Sequence, residues 1–270
     1  MPIAQIRGID LHYETTGGEG GDVVVFVNGG FADHYNWLFV APILAESFNV
    51  VTFDGRGHGQ SSGVVGEEPF ENVEDLAALI EFLDVGPPVH VVGNSGGGLW
   101  AMHLAARRPE LFRSVSVNEP PFLGLLANDP LGYDARAAFA DTGARLREGH
   151  FEEGMRGFLG FVGADWELLP PPFKEMVLSN AQSYKGEWFS DATHPAWAVD
   201  VEGLHQFPHP IQLTTGSETV PALATISRKL ANLLPTAELS VIEGAGHGPM
   251  FDKPAEYAAV LDQFLKDASE

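Results

Sequence analysis

The chain has 270 residues, 15 Lys and Arg against 37 Asp and Glu, a formal net charge of −22 at pH 7 and no cysteine. That field repels nucleic acid and anionic membranes and favours neutral or cationic ligands, while the missing thiols exclude disulfides, thiolate metal sites and a cysteine nucleophile. The opening Met1-Pro2-Ile3-Ala4-Gln5-Ile6-Arg7 lacks a basic-then-apolar signal, and no apolar run nears the ~20 residues that cross a bilayer, so a cytoplasmic protein without membrane segments is expected.

From the N-terminus, residues 3–13 read as a hairpin broken at Gly8, and Val23-Val24-Val25-Phe26-Val27 and Val50-Val51-Thr52-Phe53 as short β-branched strands. Val73, Leu76, Ala77, Ile80 and Leu83 share one helical face. A fifth strand, Val89-His90-Val91-Val92, runs into Gly93-Asn94-Ser95-Gly96-Gly97 and then a helix-like stretch from Leu99; Ser114-Val115-Ser116-Val117 is the sixth. From about residue 120 to 206 no strand is expected. Helical patterns there, around 134–147, 152–161 and 173–183, are separated by Pro170-Pro171-Pro172 and Gly-rich joints. Ile211-Gln212-Leu213-Thr214 and Leu239-Ser240-Val241-Ile242 resume the strands, and Tyr257, Val260, Leu261, Phe264 and Leu265 form a last helical face after Pro254. This alternation predicts an α/β core, residues 1–119 and 207–270, on a mostly parallel eight-stranded sheet flanked by helices, with residues 120–206 as a helical cap inserted after the sixth strand. In such sheets sites form at the carboxyl ends of strands.

Strand, Gly-x-Ser-x-Gly turn and helix together are the context of a nucleophile elbow, which exposes the Ser95 hydroxyl on a strained turn. Gly93 and Gly97 sit where a Cβ would block the approach of strand and helix, and the helix amides point toward negative charge developing near Ser95. A neutral hydroxyl needs a base within hydrogen-bond reach. Of ten histidines, His247 follows the last strand within Gly244-Ala245-Gly246-His247-Gly248 and is the best placed. His12 and His90 lie in strands, His103 in a helix, and His34, His150, His194, His205 and His209 in loop or cap segments; His58 is the main rival. His205 and His209 have i,i+4 spacing, but Pro208 and Pro210 break any helix there, so no metal pair is expected.

These motifs, in this order, resemble the α/β-hydrolase fold family over essentially the whole chain. Asn28-Gly29-Gly30-Phe31 is similar to the family's oxyanion loop, usually His-Gly-x, and Asp54-Gly55-Arg56-Gly57-His58-Gly59-Gln60-Ser61 to its turn after the fourth strand. The resemblance implies Ser95 as nucleophile, His247 as base, the amides of Gly30 and Gly96 as oxyanion hole, Asn28 as loop brace, and neither metal nor organic cofactor. The family's acid usually follows the seventh strand as Gly-x-x-Asp, yet Gly216-Ser217-Glu218-Thr219 carries threonine at that place. Glu119, in Val117-Asn118-Glu119-Pro120-Pro121 after the sixth strand, resembles the arrangement of haloalkane dehalogenases and the His-Glu-Leu-Pro of fungal resorcylic-lactone hydrolases. Glu119 is therefore preferred, with Glu218 and then Asp252 as alternatives.

Phe31, Phe122, Trp188 and Met250 are expected to contact substrate, with Trp100, Trp166 and Trp197 as further wall candidates, which suits a small apolar ester or lactone. Epoxide hydrolysis and dehalogenation are disfavoured, because those relatives carry aspartate at the position of Ser95. The leading reading is a serine hydrolase of carboxylic esters or lactones acting through a Ser-His-Glu triad. The alternatives are a cofactor-free oxygenase, perhydrolase or lyase on the same scaffold, or a non-catalytic ligand-binding member. Oligomeric state stays open, a homodimer included.

Overall fold

The structure, a computed structural model, describes residues 2–18, 20–65, 70–83, 88–184 and 194–270. Eight strands form one sheet: β1 (Ile3–Ile6), β2 (Ile9–Thr16), β3 (Val23–Val27), β4 (Asn49–Phe53), β5 (Val89–Asn94), β6 (Phe112–Asn118), β7 (Ile211–Gly216) and β8 (Ala237–Ile242). Their order is β1-β2-β4-β3-β5-β6-β7-β8. The β1 and β2 pairings are antiparallel and all others parallel, as expected for this mostly parallel sheet. Every residue of β3, β5 and β7 is buried, and β3 accordingly reads as a continuous apolar run rather than an alternating one.

Each face of the sheet has its own cover. Val24, Phe26, Val50 and Val92 pack on Trp37, Leu44 and the helix Pro254–Asp267 through Tyr257, Leu261 and Leu265. Their neighbours Val23, Val25, Val27, Val51 and Val91 point the other way, into the cluster containing the helices Glu71–Phe82 and Gly96–Arg107. Between β6 and β7 the described residues hold no strand, only the helices Pro130–Arg147, Phe151–Phe161 and Pro171–Gln182 with shorter turns; Tyr184 makes an isolated bridge to Val65. Phe139, Phe158 and Trp197 of this segment share one buried cluster with Leu99 and Val117, so its apolar core is continuous with that of the sheet.

The first of these helices begins four residues before the sequence pattern suggested. Asp129 accepts a hydrogen bond from the amide of Leu131, and Pro130 occupies the first helical position, a start that apolar periodicity does not reveal. No helix among the described residues is long and apolar enough to cross a membrane.

Candidate active site

β5 ends at Asn94 and the helix Gly96–Arg107 starts two residues later, so Ser95 alone makes the turn, at φ 50° and ψ −117°. A Cβ on Gly97 would lie 2.4 Å from the carbonyl oxygens of Val27 and Asn28, and one on Gly93 would lie 2.7 Å from the Cα of Gly98. Both positions thus need glycine for the close approach that the sequence suggested. The Ser95 amide donates to the Asn118 carbonyl at 2.8 Å, and the Ser95 carbonyl accepts the first helical bond from Leu99 at 3.0 Å. Both neighbouring elements therefore clamp the strained residue. Phe31 (φ 62°) and Glu119 (φ 45°) are also in left-handed backbone conformations. Three of the predicted site residues thus carry strain, which persists only where the surrounding structure enforces it.

The loop after β3 brings Gly30 to the elbow: a Cβ on residue 96 would sit 3.5 Å from the Gly30 amide nitrogen. Asn28 braces this loop by donating its side-chain amide to the Phe53 carbonyl of β4 at 2.6 Å. Asn180, from the segment between β6 and β7, donates to the Phe31 carbonyl at 3.1 Å.

Glu119 follows β6 and is fully buried. One carboxylate oxygen accepts from the Thr215 hydroxyl at 2.7 Å and the Gly216 amide at 3.0 Å. The other accepts from the Thr219 hydroxyl at 2.8 Å and lies 2.6 Å from Nδ1 of His247. Burial alone would raise the pKa of this carboxyl, but the hydrogen bond and charge of His247, with the Thr215 and Thr219 hydroxyls, outweigh it and hold the group below the usual carboxylate value. With the anion bound at Nδ1, the ring proton sits there and Nε2 is left as the basic nitrogen. The imidazole side chain is 11% exposed. Glu218 and Asp252 are exposed; Asp252 accepts from the Gly246 amide at 2.9 Å. Of the three candidate acids, Glu119 is the one held against His247. Thr219, at the place of the family's usual acid, is a donor to it.

Asn118, fully buried beside Glu119, was not singled out by the sequence. Its side-chain amide donates to Oδ1 of Asn94 and to the His247 carbonyl, each at 2.9 Å, while its own Oδ1 accepts from the Thr214 hydroxyl at 3.1 Å. Together with its carbonyl on the Ser95 amide, this one residue ties the elbow, the histidine loop and β7 together. An asparagine next to a strand-end carboxylate was the only signal for it.

Ser95 opens on a cavity that is continuous with solvent. Phe31, Trp100 and Trp197 line it as expected, joined by Leu99, Phe139 and Phe158. Phe122 and Met250 do not line it. Phe122 points into the core with its ring 5.4 Å from that of His103, and Met250 is packed among the residues beneath the Pro254–Asp267 helix. Pro121, the neighbour of Phe122, faces the cavity instead: closeness in sequence to Glu119 did not set direction. Trp166 is buried outside the lining, with the cations of Arg156 and Lys174 5.7 and 5.5 Å from its ring centroid. Trp188 lies outside the described residues. His58 lines the cavity with Nδ1 on the Arg56 carbonyl at 2.9 Å, and burial lowers its pKa.

Among the described residues, His12, His34 and Asp54 place potential metal-ligating atoms within 4.8 Å of one another. One Asp54 oxygen accepts from the amide and Nδ1 of His34, at 2.9 and 2.6 Å. The other accepts from Nδ1 of His12 at 3.1 Å and the Gln60 amide at 2.8 Å. Four N–H groups occupy the carboxylate's lone pairs, and the cluster works as a hydrogen-bond hub fixing the loops after β3 and β4.

The model of the Alpha/beta hydrolase family matches residues 24–260. The chain is 33% identical to the 3-oxoadipate enol-lactonase 1 of Acinetobacter baylyi over 271 aligned positions, covering 98% of this chain and 96% of that protein. It is also 33% identical over 126 residues to the dihydrolipoyllysine-residue acetyltransferase component of the acetoin cleaving system of Pseudomonas putida, but spans only 34% of that longer protein. In structure it superposes on an N-acyl homoserine lactone degrading enzyme with a TM-score of 0.76 at 23% identity, covering 97% of this chain and 100% of that one, a likeness of fold. The match to the family model, the full-length relative and the eight-stranded sheet agree: this chain belongs to the alpha/beta hydrolase family.

Proposed function

We propose that this protein is a serine hydrolase that cleaves a carboxylic ester or lactone through Ser95, His247 and Glu119. Ser95 attacks the carbonyl while Nε2 of His247 takes its proton, and the amides of Gly30 and Gly96 hold the oxyanion. His247 then protonates the leaving alkoxide; in a lactone the alcohol stays tethered to the acyl group. Water, activated by the same imidazole, releases the acid. Glu119 fixes the ring and stabilises the imidazolium without taking the proton. Residues 120–206 serve as the cap that closes the acyl pocket over the sheet.

The observation that carries this reading is the 2.6 Å contact between Glu119 and Nδ1 of His247, with Glu119 immediately beside the asparagine that clamps Ser95. The enol-lactonase relative supports the same class of bond. The test is turnover of p-nitrophenyl esters and of γ- and δ-lactones by the purified protein. Hydrolysis that vanishes in both Ser95→Ala and His247→Ala is expected. Hydrolysis that persists in Ser95→Ala, or a wild-type protein inert to the whole panel, would contradict it.

A further inference from the structure

The cavity has two kinds of wall. Around Ser95 it is largely aromatic and aliphatic, but the loop after β4 and the start of the helix Glu71–Phe82 contribute Arg56, His58, Asn72 and Asp75. β4 lies two strands from β5 in the sheet, so this polar wall starts about 10 Å from the elbow, in reach of the remote end of a medium-length acyl group. Arg56 is the only Lys or Arg among the described lining residues. Its Nε and Nη2 donate to the two oxygens of Asp75, each at 2.8 Å, a bidentate pair, and Glu71 lies 4.0 Å away. Asp75 takes a further hydrogen bond from Nε of Arg7 at 2.9 Å. The four groups carry two positive and two negative charges, and the Asp75 side chain is 4% exposed. Burial keeps His58 toward its neutral form.

Resting on the hydrolase reading, we infer that Asp75 is a specificity-determining residue: by holding the Arg56 guanidinium in a bidentate pair, it restricts this site to esters or lactones that are neutral at the end remote from the scissile bond. A carboxylate reaching this wall would have to displace Asp75 from Arg56 or remain buried beside another anion. Either course leaves an uncompensated charge in a poorly solvated place, a repulsive element of the kind that sets selectivity. The chain's net charge of −22 acts in the same direction at longer range.

The probes are p-nitrophenyl hydrogen adipate and its methyl ester, which share one acyl chain and differ in the terminal charge; p-nitrophenol release reports only the aryl ester. Wild-type kcat/KM is expected to favour the neutral ester by roughly 100-fold or more. In Asp75→Asn that ratio should shrink at least about tenfold, because the guanidinium loses its bidentate anionic partner and can pair with the substrate. Equal rates in the wild type, which need no variant to measure, would overturn the inference while leaving the hydrolase reading intact. A wild-type preference that Asp75→Asn does not move would overturn the role of Asp75 and assign the preference to overall charge. No release from either ester would overturn both the inference and the reading beneath it.

Discussion

Glutamine in place of Glu119 keeps the shape of the side chain and removes its charge, and the surrounding donors make that exchange costly. The two oxygens accept from Thr215 and Gly216 on one side and from Thr219 and His247 on the other. Hydroxyls can rotate, but the Gly216 amide cannot. If the glutamine nitrogen takes that side, two N–H groups confront each other in a buried site. If it takes the other side, His247 must move its ring proton to Nε2 and can no longer accept from Ser95. A change of this kind at the acid of a serine triad lowers kcat by roughly 10⁴-fold, about 5 kcal/mol of transition-state stabilisation. We expect a loss of that order for Glu119→Gln in steady-state hydrolysis of a p-nitrophenyl ester, with the folded protein verified by thermal melting. Glu218→Gln should stay within about twofold of wild type, as expected of an exposed substitution. A Glu119→Gln enzyme retaining more than a tenth of kcat, or a collapse in Glu218→Gln, would refute the assignment.

Asn118→Ala removes the donor shared by Asn94 and the His247 carbonyl, hydrogen bonds worth about 1 kcal/mol each; kcat should fall by about tenfold or more with little change in KM, measured on the same ester. Burial lowers the pKa of both His90 and His103 to about 4 from 6.5, so the unfolded chain holds more protons between those values and stability falls as the pH falls, levelling below about 4. Each contributes up to about 3 kcal/mol to that loss. The lowered carboxyls of Glu119 and Asp54 add a loss at still lower pH, since their contribution is full above the ordinary carboxylate value and disappears as the pH drops through their folded values. Urea unfolding at pH 7, 5.5 and 4.5 checks the sign; a flat or rising profile on acidification would contradict it. Esterase activity should survive exhaustive chelation, because the one candidate cluster for a metal among the described residues has its carboxylate filled by four N–H donors. Loss in EDTA with recovery on adding zinc would count against this.

Much of this architecture is legible in the sequence because burial on both faces leaves few options. Val23-Val24-Val25-Phe26-Val27 can satisfy its side chains only as a central strand, and Gly93 and Gly97 mark contacts where a Cβ has no room. Glu119 stood out through the resemblance of Val117-Asn118-Glu119-Pro120-Pro121 to relatives with a strand-end acid, and in the structure four donors supply the partners that a buried carboxylate needs. The walls of the cavity were not readable. Phe122 and Pro121 are adjacent, yet the left-handed turn at Glu119 and the short turn after it decide which faces the ligand space. Asn118 and Asp75 escaped notice for a similar reason: their roles depend on partners far along the chain, His247 and Arg7, that only the folded sheet brings near.

Treatment with a fluorophosphonate, followed by proteolysis and mass spectrometry, addresses the chemistry at its source. A single stoichiometric phosphonyl adduct is expected on the peptide bearing Ser95, absent in Ser95→Ala and formed at least about 100-fold more slowly in His247→Ala, where the hydroxyl lacks its base. An adduct that persists in Ser95→Ala, or a fully folded wild-type protein that takes no label, would contradict it.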